Sequence, residues 1–258
     1  MNVLMVGDIV ASPGRKAFAQ VVARLKAQGE ADFVVANAEN AAGGRGITGT
    51  VAEELFAAGA DVLTLGDHTW DQKELVPYLT AGRRIVRPAN FAPGCPGQGW
   101  IRLETGWGPV GVMALVGRVF MKPEDCPFRT ATAILEKELR GVGIILVDMH
   151  AEATSEKICI GRYLDGKVSA VVGTHTHVQT SDETVLPGGT AYITDLGMTG
   201  PKDSVLGRDL RSVLSAFLTG MPAKFEIATD AVTLEGVVIE VNRQTGKAAA
   251  IRRVRERI

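Results

Sequence analysis

The feature of this 258-residue chain that most limits its fold is a series of short apolar runs, each halted by an acid, an amide or a histidine. Asn2–Val6 stops at Gly7-Asp8, Asp32–Ala36 runs into Asn37-Ala38-Glu39-Asn40, and Asp61–Leu65 ends at Gly66-Asp67-His68. Gly143–Asp148 leads to His150, and Val168–Val172 leads to His175 and His177. Runs that are apolar throughout, and do not alternate, identify strands buried on both faces, as in a parallel sheet covered by helices. The intervening segments supply those helices. Gly14–Gln28 carries Phe18, Val21, Val22 and Leu25 at helical spacing and meets a stop at Gly29. Thr50-Val51-Ala52-Glu53 reads as a capping box opening a helix that closes at Gly59. Further helices are predicted over Phe128–Leu139 and Thr154–Leu164. The proline- and glycine-rich stretch Ile85–Ala114 predicts loops with short strands at Trp100–Glu104 and Val110–Ala114. After a short strand at Tyr192–Thr194 the chain turns to β, with Ala231–Asn242 and Lys247–Val254 forming a hairpin about Gln244-Thr245-Gly246. No repeat or linker interrupts the pattern, so one α/β domain over 1–258 is expected.

Composition narrows the function. A net charge of −1 gives no global attraction to nucleic acid or anionic membrane, so an RNA partner has to be held locally. Cys95, Cys126 and Cys159 are odd in number and far apart, against a disulfide framework or a thiolate zinc site. The first apolar run ends at Asp8, far too soon for a signal peptide or a membrane span. A cytoplasmic protein with no membrane partner is expected. The basic tail Arg252, Arg253, Arg255 and Arg257 reads as a solvated face or a subunit contact, which leaves a homo-oligomer open.

All four histidines of the chain stand just past a predicted strand, and so do Asp8, Glu39, Asn40 and Asp67. Singly, each has a bland explanation as a turn former, a helix cap or a hydrogen-bonded core histidine. Their conjunction does not, because loops at the carboxyl ends of parallel strands converge on one crevice. Five stretches of sequence then bring three carboxylates, an amide and four imidazoles together. The donors are nitrogen and oxygen without thiolate, which suits Mn, Fe, Zn or similar ions. They are too many for one ion, and two ions roughly 3.5–4 Å apart with a bridging carboxylate would use them.

The motifs Gly7-Asp8, Asn37-Ala38-Glu39-Asn40, Gly66-Asp67-His68-Thr69-Trp70-Asp71, Asp148-Met149-His150-Ala151-Glu152-Ala153-Thr154-Ser155-Glu156-Lys157 and Gly173-Thr174-His175-Thr176-His177 resemble the calcineurin-like metallophosphoesterases. Within them the chain is most similar to the YmdB-like bacterial family, a match that also takes in Thr194-Asp195-Leu196-Gly197-Met198-Thr199-Gly200-Pro201. The resemblance implies a four-layer α/β/β/α sandwich. It makes Asp8, His177 and Asn40 ligands of one ion, Glu39 the bridge, and Asp67, His150 and His175 ligands of the other. Val10 stands where most phosphoesterases carry a further histidine. His68 is implied as a general acid. The implied reaction is hydrolysis of phosphodiesters such as 2′,3′-cyclic nucleotides by a metal-bound hydroxide, with iron or manganese expected and zinc or magnesium as alternatives. Asp67 replaces the asparagine of the usual Gly-Asn-His motif, adding a negative charge to the second ion's shell.

Other residues have local readings. Asp71 and Glu74 are expected to cap a helix over Gln72–Leu79, with orientation of His68 as the alternative for Asp71. Glu152 and Glu156 are expected to serve structure or to partner ligating imidazoles. Gly43-Gly44-Arg45-Gly46 is expected to be a flexible loop, its alternative being a phosphate contact. Competing functions are a metal-dependent amidohydrolase, which also uses a His-x-His pair, and a catalytically weakened metal-binding regulator.

Overall fold

The computed structural model describes residues 1–258. The chain begins β1 (Asn2–Val6), β2 (Asp8–Ile9), α1 (Ala11–Ala27), β3 (Phe33–Asn37), α2 (Gly49–Ala57), β4 (Val62–Thr64), α3 (Leu75–Thr80) and β5 (Ile85–Val86). It continues through β6 (Trp100–Thr105), β7 (Gly108–Val116), α4 (Pro127–Lys137), β8 (Ile144–His150), α5 (Thr154–Tyr163) and β9 (Ala170–Thr174). The remainder is β10 (Thr184–Val185), β11 (Ala191–Ile193), β12 (Met198–Pro201), α6 (Leu210–Thr219), β13 (Val232–Val241) and β14 (Ala248–Arg257).

Two sheets result. The first has the order β2-β12-β13-β1-β3-β4-β5, with β14 on the other side of β13; the second has the order β10-β11-β9-β8-β7-β6. In the first, β1, β3, β4 and β5 are parallel, while β13 runs antiparallel to β1. In the second, β7, β8, β9 and β11 are parallel.

The layering follows from period-2 alternation along strands that are apolar on both faces. On β1, Val3 and Met5 enter a core shared with Ile144, Leu146 and Val172 of the second sheet. Leu4 and Val6 point the other way, to Phe18, Val22 and Leu25 of α1. A third core lies between the second sheet and α4 and α5, around Met113, Ala131, Val147 and Ile160. This is the expected α/β/β/α sandwich. Phe18 is fully buried beneath the first sheet, a burial that contributes on the order of 2 kcal/mol.

Several local expectations need correction. The first helix starts at Ala11, before Gly14, because Pro13 falls in the first turn, where its missing N–H has no partner to lose. The cap of α2 is Thr48, whose hydroxyl accepts from Val51 N (3.3 Å), and not Thr50; Glu53 instead accepts from the Tyr78 hydroxyl (2.8 Å). β8 runs on to His150, since Leu115 and Val116 of β7 continue the pairing past Asp148. α3 begins at Leu75, and neither Asp71 nor Glu74 caps it through a side chain. α6 was not foreseen. Asp209 caps it by accepting from Ser212 N (3.0 Å), and it closes at Gly220 in the left-handed region (φ 69°). The predicted C-terminal hairpin is present, and its four arginines are exposed as expected, with Arg252 paired to Glu30, Arg253 to Glu183 and Arg255 to Glu235 across the surface. No helix is long and apolar enough to cross a membrane, and the three cysteines are unpaired.

Candidate metal centre

The two sheets aim their parallel strands at a common edge and contribute different chemistry there. Asp8 opens β2, Glu39 and Asn40 follow β3, and Asp67 and His68 follow β4, all on the first sheet. From the second sheet come His150, the last residue of β8, and His175 and His177, just past β9. Acids and the amide therefore approach from one side and three imidazoles from the other.

They meet closely. His150 Nε2 lies 3.1 Å from Glu39 Oε1, 3.0 Å from Asp67 Oδ1 and 3.0 Å from His175 Nδ1. One ligand atom from each of Glu39, Asp67, His150 and His175 falls within 4.8 Å of all the others. Alongside, His177 Nε2 is 3.7 Å from Asp8 Oδ1 and 3.3 Å from Asn40 Nδ2, and that amide also reaches Glu39 Oε1 (3.3 Å). The eight residues singled out in the sequence thus divide into a central quartet, an adjoining trio of Asp8, Asn40 and His177, and His68. Gly66 makes the approach feasible, because a Cβ there would stand 2.3 Å from His150 Cδ2 and 2.4 Å from Glu39 Oε2.

The imidazole of His150 is locked by residues that sequence reasoning did not assign. Asp148, two positions back on the same strand face, accepts from Thr174 Oγ1 (2.7 Å) and Asn37 Nδ2 (3.1 Å), and also from the Thr64 hydroxyl. With its proton committed to Asp148, the Thr174 hydroxyl accepts from His150 Nδ1 (2.9 Å). That leaves Nε2 to face the cluster, the usual way a polar partner fixes which nitrogen a ligating histidine presents. The signal was Asp148 at the end of a predicted strand, two residues before His150.

Electrostatics reflect the crowding. Burial acts against charge on His150, yet Glu39, Asp67 and Asp8 around it hold its pKa well above the ordinary 6.5. Burial would raise Glu39, but His150 outweighs it and the net direction is down. Asp67 is likewise desolvated, and hydrogen bonds from His150 and His175 carry it well below the carboxylate range. Asp148 goes the other way, raised by burial against the pull of His150.

These residues fit a cation. Asp8 Oδ1 and His177 Nδ1 are buried with no hydrogen-bond partner, an expensive condition for polar atoms. Two imidazole nitrogens also face each other at 3.0 Å among carboxylates. Positive charge placed among them satisfies Asp8 Oδ1 and the facing imidazole nitrogens, and an N/O donor set of this kind suits iron, manganese or zinc. Asn40 needs only to turn its amide to offer oxygen.

His68 stands apart from the quartet. Its backbone N donates to Glu39 Oε2 (3.0 Å), while its ring turns to Asp71, with Nδ1 3.0 Å from Oδ2. Asp71 is therefore an orienting partner of His68, not a helix cap. Arg45 Nε sits 3.1 Å from the same Asp71 oxygen, so the Gly43–Gly46 loop is anchored and not free. Arg208 tethers it again by donating from Nη2 to Gly44 O (2.7 Å). Glu152 Oε2 lies 3.2 Å from His175 Nε2, as a partner for an imidazole should, whereas Glu156 accepts from the backbone N–H groups of Arg118 and Val119.

An open cleft of about 710 Å³ exposes the site. Glu39, Asn40, His68, His175 and His177 form its floor, and Arg45 and Arg208 stand at its side. An apolar wall of Val205, Leu206, Val213, Phe217 and Phe225 comes from α6 and its flanks.

Comparison with known proteins gives a consistent picture. A family model described as YmdB-like protein matches residues 4–254. The 2′,3′-cyclic-nucleotide 2′-phosphodiesterase of Bacillus subtilis is 45% identical over 254 residues, covering 98% of this chain and 96% of that protein. A hypothetical protein of Thermus thermophilus has a crystal structure that superposes with a TM-score of 0.93 at 41% identity, covering 100% of this chain and 99% of the other. A Mycoplasma pneumoniae structure described as a novel phosphatase gives a TM-score of 0.93 at 33% identity, over 100% and 93% of the two chains.

Proposed function

This chain belongs to the YmdB-like protein family, and from that premise we propose that it hydrolyses phosphodiesters, 2′,3′-cyclic nucleotides foremost, at a pair of metal ions. The observation that carries the reading is the gathering of four ligand atoms within 4.8 Å beside a buried Asp8 oxygen without a partner. Asp8, Asn40 and His177 would hold one ion, Asp67, His150 and His175 the other, and Glu39 both. Iron or manganese is the expected occupant.

Such ions supply Lewis acidity toward a phosphoryl oxygen and a nucleophile at neutral pH. The protein's own groups do the rest. Asp71 engages His68 Nδ1, which leaves Nε2 to deliver a proton to the departing ribose oxygen. Arg45 and Arg208 give the cleft a positive side for the substrate phosphate, and the wall around Phe217 and Phe225 offers apolar surface to the nucleoside. An open two-sheet sandwich does not provide the barrel on which an amidohydrolase places its early His-x-His pair, so that alternative falls away. The unpaired cysteines accord with a reducing cytoplasm.

Elemental analysis after gentle purification tests the ion pair, with two ions per chain expected. One or none, unrestored by Mn²⁺ or Fe²⁺, would sink it. The His68→Ala variant should keep its metal while kcat toward 2′,3′-cyclic AMP drops by roughly 10²–10⁴-fold. Loss under threefold removes His68 from the chemistry.

A further inference from the structure

Two stretches of sequence that mark the family lie outside the cluster: the end of the His150–Lys157 run and the segment around Asp195. In the fold they meet. Lys157, on α5, is fully buried, and its Nζ donates to Asp195 Oδ2 at 2.7 Å. Asp195 is equally buried, in the short connection between β11 and β12. The same Oδ2 accepts from Thr176 N (3.1 Å) and Thr176 Oγ1 (2.8 Å), while Oδ1 accepts from Gly197 N (2.8 Å). The Lys157 stem reaches Asp195 by passing Gly173 of β9, where a Cβ would come within 2.8 Å of Lys157 Cδ.

Thr176 is the residue between His175 and His177. Both histidines adopt a left-handed backbone, at φ 98° and φ 63°, a conformation that costs a residue with a side chain of order 1–3 kcal/mol. Nothing in their own sequence favours it. Two carboxylates hold it: Asp8 Oδ2 accepts from His175 N (3.1 Å), and a single Asp195 oxygen binds both the N–H and the hydroxyl of Thr176. That oxygen accepts three hydrogen bonds, and the one from Lys157 Nζ fixes its position. A buried ion pair is a poor stabilising device, because desolvation offsets its attraction and apolar replacements often fold as well. Its presence here asks for another purpose.

We infer that Lys157 and Asp195 are positioning residues: they clamp Thr176, and through it set how His175 and His177 point their ring nitrogens into the two halves of the metal centre. His175 meets His150 within the quartet and His177 faces Asp8 and Asn40, so one clamp serves both halves. The inference rests on the two-ion reading proposed above.

Titration with Mn²⁺ alone, followed by calorimetry and by the electron paramagnetic resonance of bound ion, separates the two. The double variant Lys157→Met/Asp195→Asn removes both charges together, so no unpaired ion is left inside. It is expected to fold, by circular dichroism and thermal melting, yet to bind Mn²⁺ about 10–100-fold more weakly, as loss of a ligand's supporting partner typically does. Activity should return at high Mn²⁺. A folded double variant with wild-type Mn²⁺ affinity overturns the clamp, even if its melting temperature has fallen. If the double variant does not fold, Thr176→Val decides: it deletes only the hydroxyl donor to Asp195, and several-fold weaker Mn²⁺ binding is expected. Unchanged affinity there overturns the inference. Wild-type protein that binds no Mn²⁺ would refute the metal-centre reading itself, an outcome distinct from either.

Discussion

His68 Nδ1 and Asp71 Oδ2 lie 3.0 Å apart, and the same Asp71 oxygen is 3.1 Å from Arg45 Nε. The carboxylate thus fixes the tautomer and direction of an imidazole at the cleft floor while being itself restrained by a cation. Asp71→Asn preserves shape but removes the charge and lets the amide present a donor to Nδ1. We expect kcat to fall by one to two orders of magnitude, less than the roughly 10²–10⁴-fold expected for losing the imidazole outright. Metal content should not change. Steady-state kinetics beside elemental analysis check this; a variant as active as wild type would show that His68 needs no orienting partner.

Asp67 sets a second expectation. An anionic ligand offsets more of an ion's charge than a neutral amide does, which strengthens binding and weakens Lewis acidity. Asp67→Asn should therefore bind metal less tightly, yet hydrolyse bis-p-nitrophenyl phosphate at least as fast once saturated. Rates must be compared across a Mn²⁺ series. A much slower variant at saturation would assign Asp67 a part in proton transfer or in placing the neighbouring His68.

Stripping the metal should make stability respond to pH in a definite direction. The folded pKa of His150 is raised above 6.5, so its contribution is complete below that value and is lost as pH climbs through the folded pKa. Glu39 and Asp67 are lowered from 4.5 and 3.8, so theirs is present above those values and is lost as pH falls through their folded pKa. Chelator-treated protein should melt highest between about pH 4.5 and 6.5 and decline on the alkaline side. Metal-loaded protein, with a cation in place of the His150 proton, should not show that alkaline decline. Melting curves with and without EDTA from pH 5 to 9 measure it, and parallel profiles would contradict the cation's place at His150.

Much of this was legible in the sequence because buried parallel strands announce themselves as unbroken apolar runs, and polar residues that halt such runs have few other places to go. Asp8, Glu39, Asp67, His150, His175 and His177 were found that way. Partnership was harder to see. Asp71 stands three residues before Glu74, a spacing that serves a cap as well as a turn, and only the third dimension places it against His68. Lys157 lies within the predicted helix Thr154–Leu164, and nothing local in the sequence marks its partner, Asp195, 38 positions away. α6 was missed for a different reason. Leu210, Val213, Leu214 and Phe217 have helical spacing and Asp209 and Gly220 mark its ends, but only Val213 of that helix is buried. The reading that the chain turns to β after Tyr192–Thr194 passed over it.

The insertion of β13 beside β1 bears on how the protein is made. Met1 N and Val241 O are hydrogen-bonded across 240 positions of sequence, and β1 is flanked by β3 on one side and β13 on the other. A ribosome adding about 5–20 residues per second needs on the order of tens of seconds to span that interval. Throughout it, Asn2–Val6 waits with one row of backbone donors and acceptors unclaimed, and β2 waits for β12. Nascent chains therefore pass through a stage in which most of the acids and histidines exist but the sheet that aligns Asp8 does not. Chains cut short before Val232 should leave that edge open to pairing with each other and collect in the insoluble fraction.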